Sequence, residues 1–166
     1  MGDVVEFFSG LTYSPDNVIE DGGTFVLRSS NVKNGEIVDA DNVYVGSDIV
    51  NSDNVQIGDV IVVVRNGSRD LIGKHAQIKK QMNNTVIGAF MTGVRSETPN
   101  FTNAMLDTQK FRIEINKNLG ATINQITTGA FKKMEFHIPV ETVEREQVGT
   151  FFAQLHNLIT LHQRKS

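Results

Sequence analysis

The chain has 166 residues, which is enough for one well-packed domain and too few for two comfortable ones. It contains no cysteine, so disulfide bonds, thiolate-bound zinc and cysteine nucleophiles are excluded together. Hydrophobic residues make up 39% of the chain and charged residues 21%, proportions that predict a folded globular protein rather than a disordered one.

The net charge of −3 hides a strong asymmetry along the chain. Residues 1–64 carry 2 basic and 11 acidic groups, whereas residues 65–133 carry 11 basic and 4 acidic groups and residues 134–166 carry 3 and 4. A concentrated basic region is what a surface that binds a polyanion requires. Concentration in the sequence does not by itself place these charges on one face of the fold.

No targeting or membrane-spanning segment is expected. The first six residues lack a basic stretch followed by an apolar one, and Glu6 stands where N-myristoylation requires serine or threonine. The longest apolar run is the five residues 60–64, whereas a spanning helix needs about 20. We therefore expect a soluble protein of the reducing cytoplasm that does not bind membranes.

Short strands separated by turn residues are predicted in the first part of the chain. Residues 4–8 form a short apolar segment, and Thr24–Leu27 is a predicted strand that ends in a polar loop, here called loop A (residues 28–31). A tight turn is expected at residues 33–35 and a short strand at Val43–Val45.

Residues 60–64 are predicted to form a fully buried strand, because all five are apolar, most are β-branched, and no polar residue alternates with them. The strand leads into a polar segment, here called loop B (residues 65–69), and then to Lys74. Loop B consists of Arg65, Asn66, Gly67, Ser68 and Arg69. This is the hydrogen-bond inventory that a polyanion or a base edge requires, although a solvated surface turn has the same composition.

Further strands are predicted at residues 74–80 and 85–94, which a plain β-meander would also produce. A helix is predicted from Asn100, with Thr102 as a possible N-cap. Four apolar residues recur near a 3.6-residue period: Phe101, Met105, Leu106 and Phe111. The polar residue Gln109 falls on the same period. A stripe of this kind usually packs into a core rather than lining a ligand site.

A third polar segment, here called loop C (residues 124–128), precedes two lysines. Its polar residues and the lysines are Asn124, Gln125, Thr127, Thr128, Lys132 and Lys133. Asparagine and glutamine present a donor and an acceptor together, as adenine readout requires, and the lysines can neutralise phosphates. A capped turn before a short helix explains the same residues equally well.

Residues 141–166 are predicted to contain an amphipathic helix of about 20 residues, hence about 30 Å long. Its apolar residues recur at spacings of three and four, and we call them the helix stripe: Val148, Phe151, Phe152, Leu155, Leu158, Ile159 and His162. Such a stripe folds back onto its own domain or pairs with another helix, and its narrowness favours pairing. We predict an α+β protein with a mainly β domain and short helices (residues 1–139), followed by one long C-terminal helix (residues 140–166).

Four stretches of the chain resemble the specificity subunits of type I restriction-modification enzymes. They are FVLRSSNVKNGEI (25–37), GDVIVVVRNGSRDLIGK (58–74), ATINQITTGAFKKMEFHIP (121–139) and REQVGTFFAQLHNLITLHQRK (145–165), of which the last is the most specific. In that family a target-recognition domain is followed by a helical spacer, and a full subunit has two such units where this chain has one. Glu141 replaces a usual second proline and one residue is inserted before Glu146, so the resemblance does not fix where the helix begins.

The resemblance implies a protein that is not itself an enzyme and that holds no metal or cofactor. It implies that the chain reads one half of a bipartite double-stranded DNA target and docks methyltransferase subunits, while a separate motor subunit cuts DNA. The methyltransferase subunits bind S-adenosylmethionine and N6-methylate an adenine that they flip out of the duplex. The histidines His75, His137, His156 and His162 show no metal-binding spacing, in agreement with this expectation.

We expect loops A, B and C to converge on one DNA-binding face, with loop A contributing Arg28, Ser29, Ser30 and Asn31. Arginines suit guanine edges and amides suit adenine, whereas Lys74, Lys79, Lys132 and Lys133 are expected to hold phosphates. Pairing of two chains through the helix stripe would give a homodimer and an inverted-repeat target.

Two other functions are compatible with parts of the sequence. The run from Gly58 to Val62 resembles the strand entry of signal-peptidase-like Ser/Lys proteases, which makes Ser68 a candidate nucleophile and Lys74 a candidate base. The other is an interaction or assembly fragment that keeps the helix but does not read DNA.

Overall fold

The computed structural model describes residues 1–166. Its ten strands are β1 (Glu6–Ser9), β2 (Val18–Ile19), β3 (Thr24–Leu27), β4 (Val32–Lys33), β5 (Glu36–Ile37), β6 (Val43–Val45), β7 (Val60–Val63), β8 (His75–Gln77), β9 (Thr85–Ile87) and β10 (Met91–Arg95). Its four α-helices are α1 (Pro99–Leu106), α2 (Gln109–Asn118), α3 (Thr128–Lys132) and α4 (Thr142–Lys165).

The strands form two four-stranded sheets and one hairpin. The first sheet has the order β1-β10-β7-β8 and is antiparallel throughout. The second has the order β2-β6-β3-β9, in which β3 and β9 run parallel. The hairpin β4-β5 turns through Asn34 and Gly35, both at positive φ, as the predicted tight turn requires. With three short helices and one long one, this architecture confirms the predicted α+β class.

The predicted central strand is confirmed as β7, whose four residues are all buried. It lies between β10 and β8, and the main hydrophobic core surrounds it. Phe111 from α2 and Phe131 from α3 are fully buried in that core. Apolar partners therefore cover both faces of β7, which is why its sequence shows no alternation.

Two predicted segments are divided in the structure. Residues 85–94 contribute β9 to one sheet and β10 to the other, with a turn at residues 88–90 between them. The predicted helix after Asn100 is two helices, because the Thr108 hydroxyl accepts the Phe111 N–H (3.3 Å) and starts α2 anew. The expectation that Thr102 is an N-cap is wrong. Its side chain is buried within α1 and bonds the Ser96 hydroxyl at 2.7 Å.

Helix α4 has 24 residues and packs against α1. It is longer than predicted, about 36 Å at 1.5 Å per residue, because it begins before Gly149 and continues through it. From residue 157 onward its residues are exposed apart from Thr160. None of the helices combines the length and the apolar character that crossing a membrane requires.

Candidate nucleic-acid interface

Loops A, B and C are in direct contact, and Asn66 joins them. Its Nδ2 donates a hydrogen bond to Ser29 Oγ (3.2 Å), and its backbone N–H donates to Asn124 O (3.3 Å). Asn124 Nδ2 in turn donates to Gly67 O at 3.1 Å. Three segments that are far apart in the sequence thus form one polar surface beside the buried end of β7.

Loop C is anchored to β7 through its single apolar residue. The Ile126 N–H donates to Val64 O (2.8 Å), and the Ile126 side chain is buried in the core. Arg65 and Gln125 form an antiparallel bridge beside this contact. Because Ile126 fixes the backbone, the neighbouring Asn124 and Gln125 are held half-buried next to loop B.

Arg65 is the arginine of this surface that the chain itself does not engage. Its side chain is exposed and forms no hydrogen bond or ion pair within the chain, and its guanidinium lies 4.8 Å from the centroid of the Phe90 ring. The other two arginines each donate to a backbone carbonyl, Arg28 to Asp41 O and Arg69 to Gly120 O. Arg65 therefore keeps all five guanidinium donors available for a ligand.

The structure corrects the expectation that Asn31 contacts DNA. Asn31 is fully buried, its Oδ1 accepts the Arg28 N–H (3.0 Å), and its Nδ2 lies within hydrogen-bonding distance of three acceptors. These acceptors are Val38 O, Ala40 O and Asn42 Oδ1, at 2.9–3.1 Å. Asn31 thus shapes loop A from inside the protein and has no free donor for a base.

Loop C also caps the start of helix α3, which is the alternative explanation that the sequence did not exclude. The Thr127 hydroxyl accepts the Ala130 N–H (3.1 Å) and caps α3, and Thr128 is the first residue of that helix. Ser30 is half-buried, and its hydroxyl oxygen is enclosed without a hydrogen-bond partner. Ser29, Asn66 and Asn124 bond one another across the loops, so each has only part of its hydrogen-bonding capacity left for a ligand.

The predicted phosphate-binding lysines fall into two groups. Lys132 and Lys133 are exposed near the end of α3, and Lys74 is half-buried in a groove of about 560 Å³ that Arg69 and Arg112 also line. None of these lysine side chains forms an ion pair within the chain. Lys79 differs, because its Nζ lies 2.7 Å from Glu36 Oε1. Lys79 is therefore paired within the chain, unlike the other three lysines expected to hold phosphates.

Two side chains near loop B could not be identified as candidate site residues from the sequence. Phe90 is exposed at the turn between β9 and β10, and Arg112 is exposed on α2. Phe90 resembles any core residue of a strand region in the sequence, and Arg112 resembles any charge on a solvated helix face. Only the tertiary structure brings these two residues close to loop B.

The geometry at Ser68 does not assemble the proposed Ser/Lys pair. Ser68 is exposed, and no hydrogen bond joins its hydroxyl to Lys74 Nζ. The Ser68 N–H instead donates to Asn66 Oδ1 (2.9 Å) and closes the turn of loop B. Activation of a serine requires a base within hydrogen-bonding reach. The structure also contains no group of three or more His, Asp or Glu residues that could hold a metal ion.

Helix α4 docks on its own domain through a face centred away from the helix stripe, although Val148 and Phe152 of the stripe line a groove with Phe101 of α1. The docking face includes Arg145, Gly149, Ala153 and His156, and Gly149 lies so close to α1 that a Cβ there would overlap the backbone N of Phe101. At about 100° per residue, the centre of the helix stripe lies roughly a third of a turn away. Its most outward residues are 42–60% exposed: Phe151, Leu155, Leu158 and Ile159. Most of the stripe is thus an apolar surface that its own domain leaves exposed.

Glu36 ties the hairpin β4-β5 to the docking face of α4. Its Oε1 accepts hydrogen bonds from Lys79 Nζ (2.7 Å) and His156 Nε2 (3.0 Å). Burial raises the pKa of Glu36, but the hydrogen bonds and charges of Lys79 and His156 outweigh this effect, and its pKa lies below the usual 4.5. A carboxyl group with a lowered pKa stabilises the fold above its unfolded-state pKa, and that stability is lost as pH falls through the folded-state pKa.

We therefore expect Glu36→Gln to reduce the free energy of unfolding at neutral pH by about 1 kcal/mol, the range of partly exposed ion pairs. The difference from wild type should shrink as the pH falls through the lowered folded-state pKa of Glu36, because the wild-type carboxyl then becomes protonated. Urea denaturation of both proteins across this range measures it. Glu135→Gln is a suitable control, since Glu135 is exposed and accepts no hydrogen bond. A difference that does not depend on pH would contradict the assignment.

The model of a protein family described as "Type I restriction modification DNA specificity domain" matches residues 1–166. Curated relatives include the type I restriction enzyme StySPI specificity subunit of Salmonella potsdam and the type I restriction enzyme EcoKI specificity subunit of Escherichia coli (strain K12). Each is 26% identical over 163 residues, and the match covers 92% of this chain and 35% of the relative. The chain therefore spans about a third of the length of these relatives.

Solved structures share the fold. A chain from work described as the structural basis underlying complex assembly and conformational transition of the type I R-M system matches with a TM-score of 0.69 at 15% identity. That match covers 99% of this chain and 39% of the other. The HsdS subunit from Thermoanaerobacter tengcongensis matches with a TM-score of 0.67 at 13% identity, covering 99% of this chain and 38% of that one. At these identities the likeness establishes a common fold.

Proposed function

We propose that this chain reads one half of a bipartite DNA target, starting from the fact that it belongs to the family of type I restriction modification DNA specificity domains. In this proposal the chain performs no chemistry itself. It docks methyltransferase subunits that carry S-adenosylmethionine and N6-methylate an adenine, and it meets the restriction motor subunit only through them, in the cytoplasm. The contact of loops A, B and C around Asn66, with Arg65 unengaged beside them, is the observation that carries the proposal.

Each part of the surface suits a different part of a duplex. Arg65 can donate two parallel hydrogen bonds to the O6 and N7 acceptors of guanine, and Gln125 can pair with the N6 and N7 atoms of adenine. Lys74, Lys132 and Lys133 are suited to phosphates, contacts that position the domain without reading sequence. The proposal thus assigns specificity to loops B and C and a sequence-independent share of the affinity to the lysines.

Two ion pairs within the fold engage acidic groups of the N-terminal segment. Asp59 is buried, and both of its oxygens accept hydrogen bonds from Arg95 at 2.8 Å, a contact that raises the pKa of Arg95. Glu36 engages Lys79 in the same way. Two acidic groups of the N-terminal segment are therefore neutralised by basic residues that lie outside the loops.

The second part of the proposal is a homodimer formed through the helix stripe. Two identical helices paired about a two-fold axis make the same contacts in both directions, which demands an inverted-repeat target. The helix length of about 36 Å is close to the 34–36 Å that separates half-sites one DNA turn apart. Because the chain spans 35% of its curated relatives, a second unit of a longer chain is the other candidate to cover the stripe.

Replacement of Arg65 by Ala should relax specificity at one base pair of the target. A bidentate arginine contact is worth about 1–3 kcal/mol of discrimination, so the preference for guanine there should fall roughly 5-fold to 150-fold. Lys132→Ala should instead weaken binding to all sequences alike, because a phosphate contact carries no sequence information. Mapping of N6-methyladenine in DNA from cells that express each variant with its methyltransferase measures both effects.

The wild-type chain with its methyltransferase is the reference for this comparison. If both variants lowered methylation at every site equally, the division of roles between Arg65 and Lys132 would be wrong. If the wild-type complex neither methylated DNA nor retarded any duplex from a random pool in a gel shift, the assembly-fragment alternative would replace the proposal.

A further inference from the structure

Phe90 is an exposed aromatic residue at the edge of the proposed DNA-reading surface. It lies in the turn between β9 and β10, and 52% of its surface is accessible. Most of the other exposed aromatic or aliphatic residues of comparable size lie on α4 or at the edges of the domain. Exposure of a phenylalanine beside an unengaged arginine calls for a physical explanation, since burial of its ring would be favourable.

Phe90 contacts both the backbone and the guanidinium group of Arg65. Its carbonyl oxygen accepts the N–H groups of Val64 (3.0 Å) and Arg65 (3.2 Å), which fixes the backbone where loop B begins. Its ring lies 4.8 Å from the Arg65 guanidinium carbon, within the range of a cation–π contact. The ring thus limits the orientations of the guanidinium without using any of its hydrogen-bond donors.

The chain contains a second arginine–phenylalanine contact at the same distance, and it differs from the Arg65 contact in what else binds the arginine. The guanidinium of Arg95 also lies 4.8 Å from an aromatic ring, that of Phe8. Arg95 is, however, bound at two atoms by the buried Asp59, and the Phe8 ring packs directly on Gly93. The Arg95 contact is therefore structural, whereas Arg65 has a ring beside it and no anion.

We propose that Arg65 and Phe90 act as one recognition unit for two adjacent bases, an inference that rests on the proposed function. The Arg65 guanidinium donates to O6 and N7 of a guanine, and the exposed part of the Phe90 ring contacts the 5-methyl group of the neighbouring thymine. Apolar side chains recognise thymine through this methyl group in the major groove. The unit thus reads a guanine and a thymine side by side.

The orientation of the guanidinium depends on the ring. Bidentate recognition requires the plane of the guanidinium to coincide with the plane of the guanine, and the ring restricts that plane. Loss of the ring should therefore weaken discrimination at both positions, whereas loss of the guanidinium alone should chiefly weaken discrimination at the guanine.

The test uses the full chain with its methyltransferase. Mapping of N6-methyladenine first gives the wild-type target, which should contain a guanine next to a thymine in each half. Binding is then compared between the target duplex and a duplex in which deoxyuridine replaces that thymine, which removes only the methyl group. Wild type should bind the deoxyuridine duplex about fourfold more weakly, the value of one buried methyl group. Phe90→Ala should bind the two duplexes equally and also show a reduced preference for guanine.

Two variants separate this role from a general loss of stability. Phe90→Tyr retains the ring and should restore the wild-type response to deoxyuridine. Phe8→Leu removes the cation–π contact of Arg95, so it should lower the melting temperature without changing the base preference. A wild-type target without an adjacent guanine and thymine, or a Phe90→Ala variant with unchanged preferences, would overturn the inference and leave the proposed function standing. Absence of any wild-type methylation or DNA binding would overturn both.

Discussion

The double substitution Phe151→Asp with Leu158→Asp is expected to convert a homodimer into monomers and to abolish target methylation. Both side chains are 60% exposed on the helix stripe, so their replacement removes little from the core of the domain. In a two-fold interface each substitution occurs twice, and a central apolar contact is worth about 2 kcal/mol or more. We expect the dimer dissociation constant to rise at least about 100-fold, which sedimentation at micromolar concentration measures.

The matched control is Val143→Asp with Leu161→Asp. These residues are also exposed on α4, at 62% and 53%, but they lie away from both the helix stripe and the docking face. The control should sediment and methylate as wild type does. A wild-type chain that stays monomeric at micromolar concentration would contradict the homodimer, and equal loss of dimer in the two variants would show that the stripe is not the interface.

Local signals were sufficient to predict the strands that carry the loops. Residues 60–64 lack polar alternation because both faces of β7 are covered, and glycine with polar residues marks the loop that follows. The hairpin turn at Asn34 and Gly35 is predictable for the same reason, since positive φ is a property of these residue types. Such features depend on a few neighbouring residues, and so a single sequence contains them.

The roles of individual polar side chains were less predictable, because they depend on distant backbone. Asn31 and Asn66 have the same side chain, and each lies just after a strand. Asn31 is buried by the carbonyls of residues 38 and 40, whereas Asn66 faces loops A and C. Nothing in the sequence near either residue distinguishes these outcomes. The proximity of Phe90 to Arg65 is likewise a consequence of how the two sheets meet.

The docking of α4 shows a different limit of sequence patterns. A hydrophobic period identifies large apolar residues, and it predicts the helix stripe as the face that makes contact. The domain instead contacts the face that includes Gly149 and Ala153, because small side chains allow two helices to approach closely. Close approach leaves almost no trace in a hydrophobicity pattern. Most of the stripe therefore remains exposed for a reason that the sequence alone does not reveal.

Gly149→Ala is expected to destabilise the protein by about 1–3 kcal/mol, the cost of overpacking a well-packed contact. A Cβ at this position would overlap the Phe101 backbone N and lie 2.9 Å from the Asn100 carbonyl carbon. Backbone atoms cannot rotate away as a side chain can, so α4 would have to move off α1. For a chain of this size the melting temperature should fall by roughly 3–10 °C.

The sign of this effect is what makes it informative, because alanine normally stabilises a helix by about 0.5–1 kcal/mol relative to glycine. Gly129→Ala provides the control, since Gly129 lies within α3 and a Cβ there would meet nothing within 4 Å. That variant should be as stable as wild type or more stable. If Gly149→Ala behaved like Gly129→Ala, the close contact between α1 and α4 would not exist in solution. If it destabilises as expected, methylation should fall while base preference stays unchanged, because loops A, B and C belong to the domain and would remain intact when α4 is displaced.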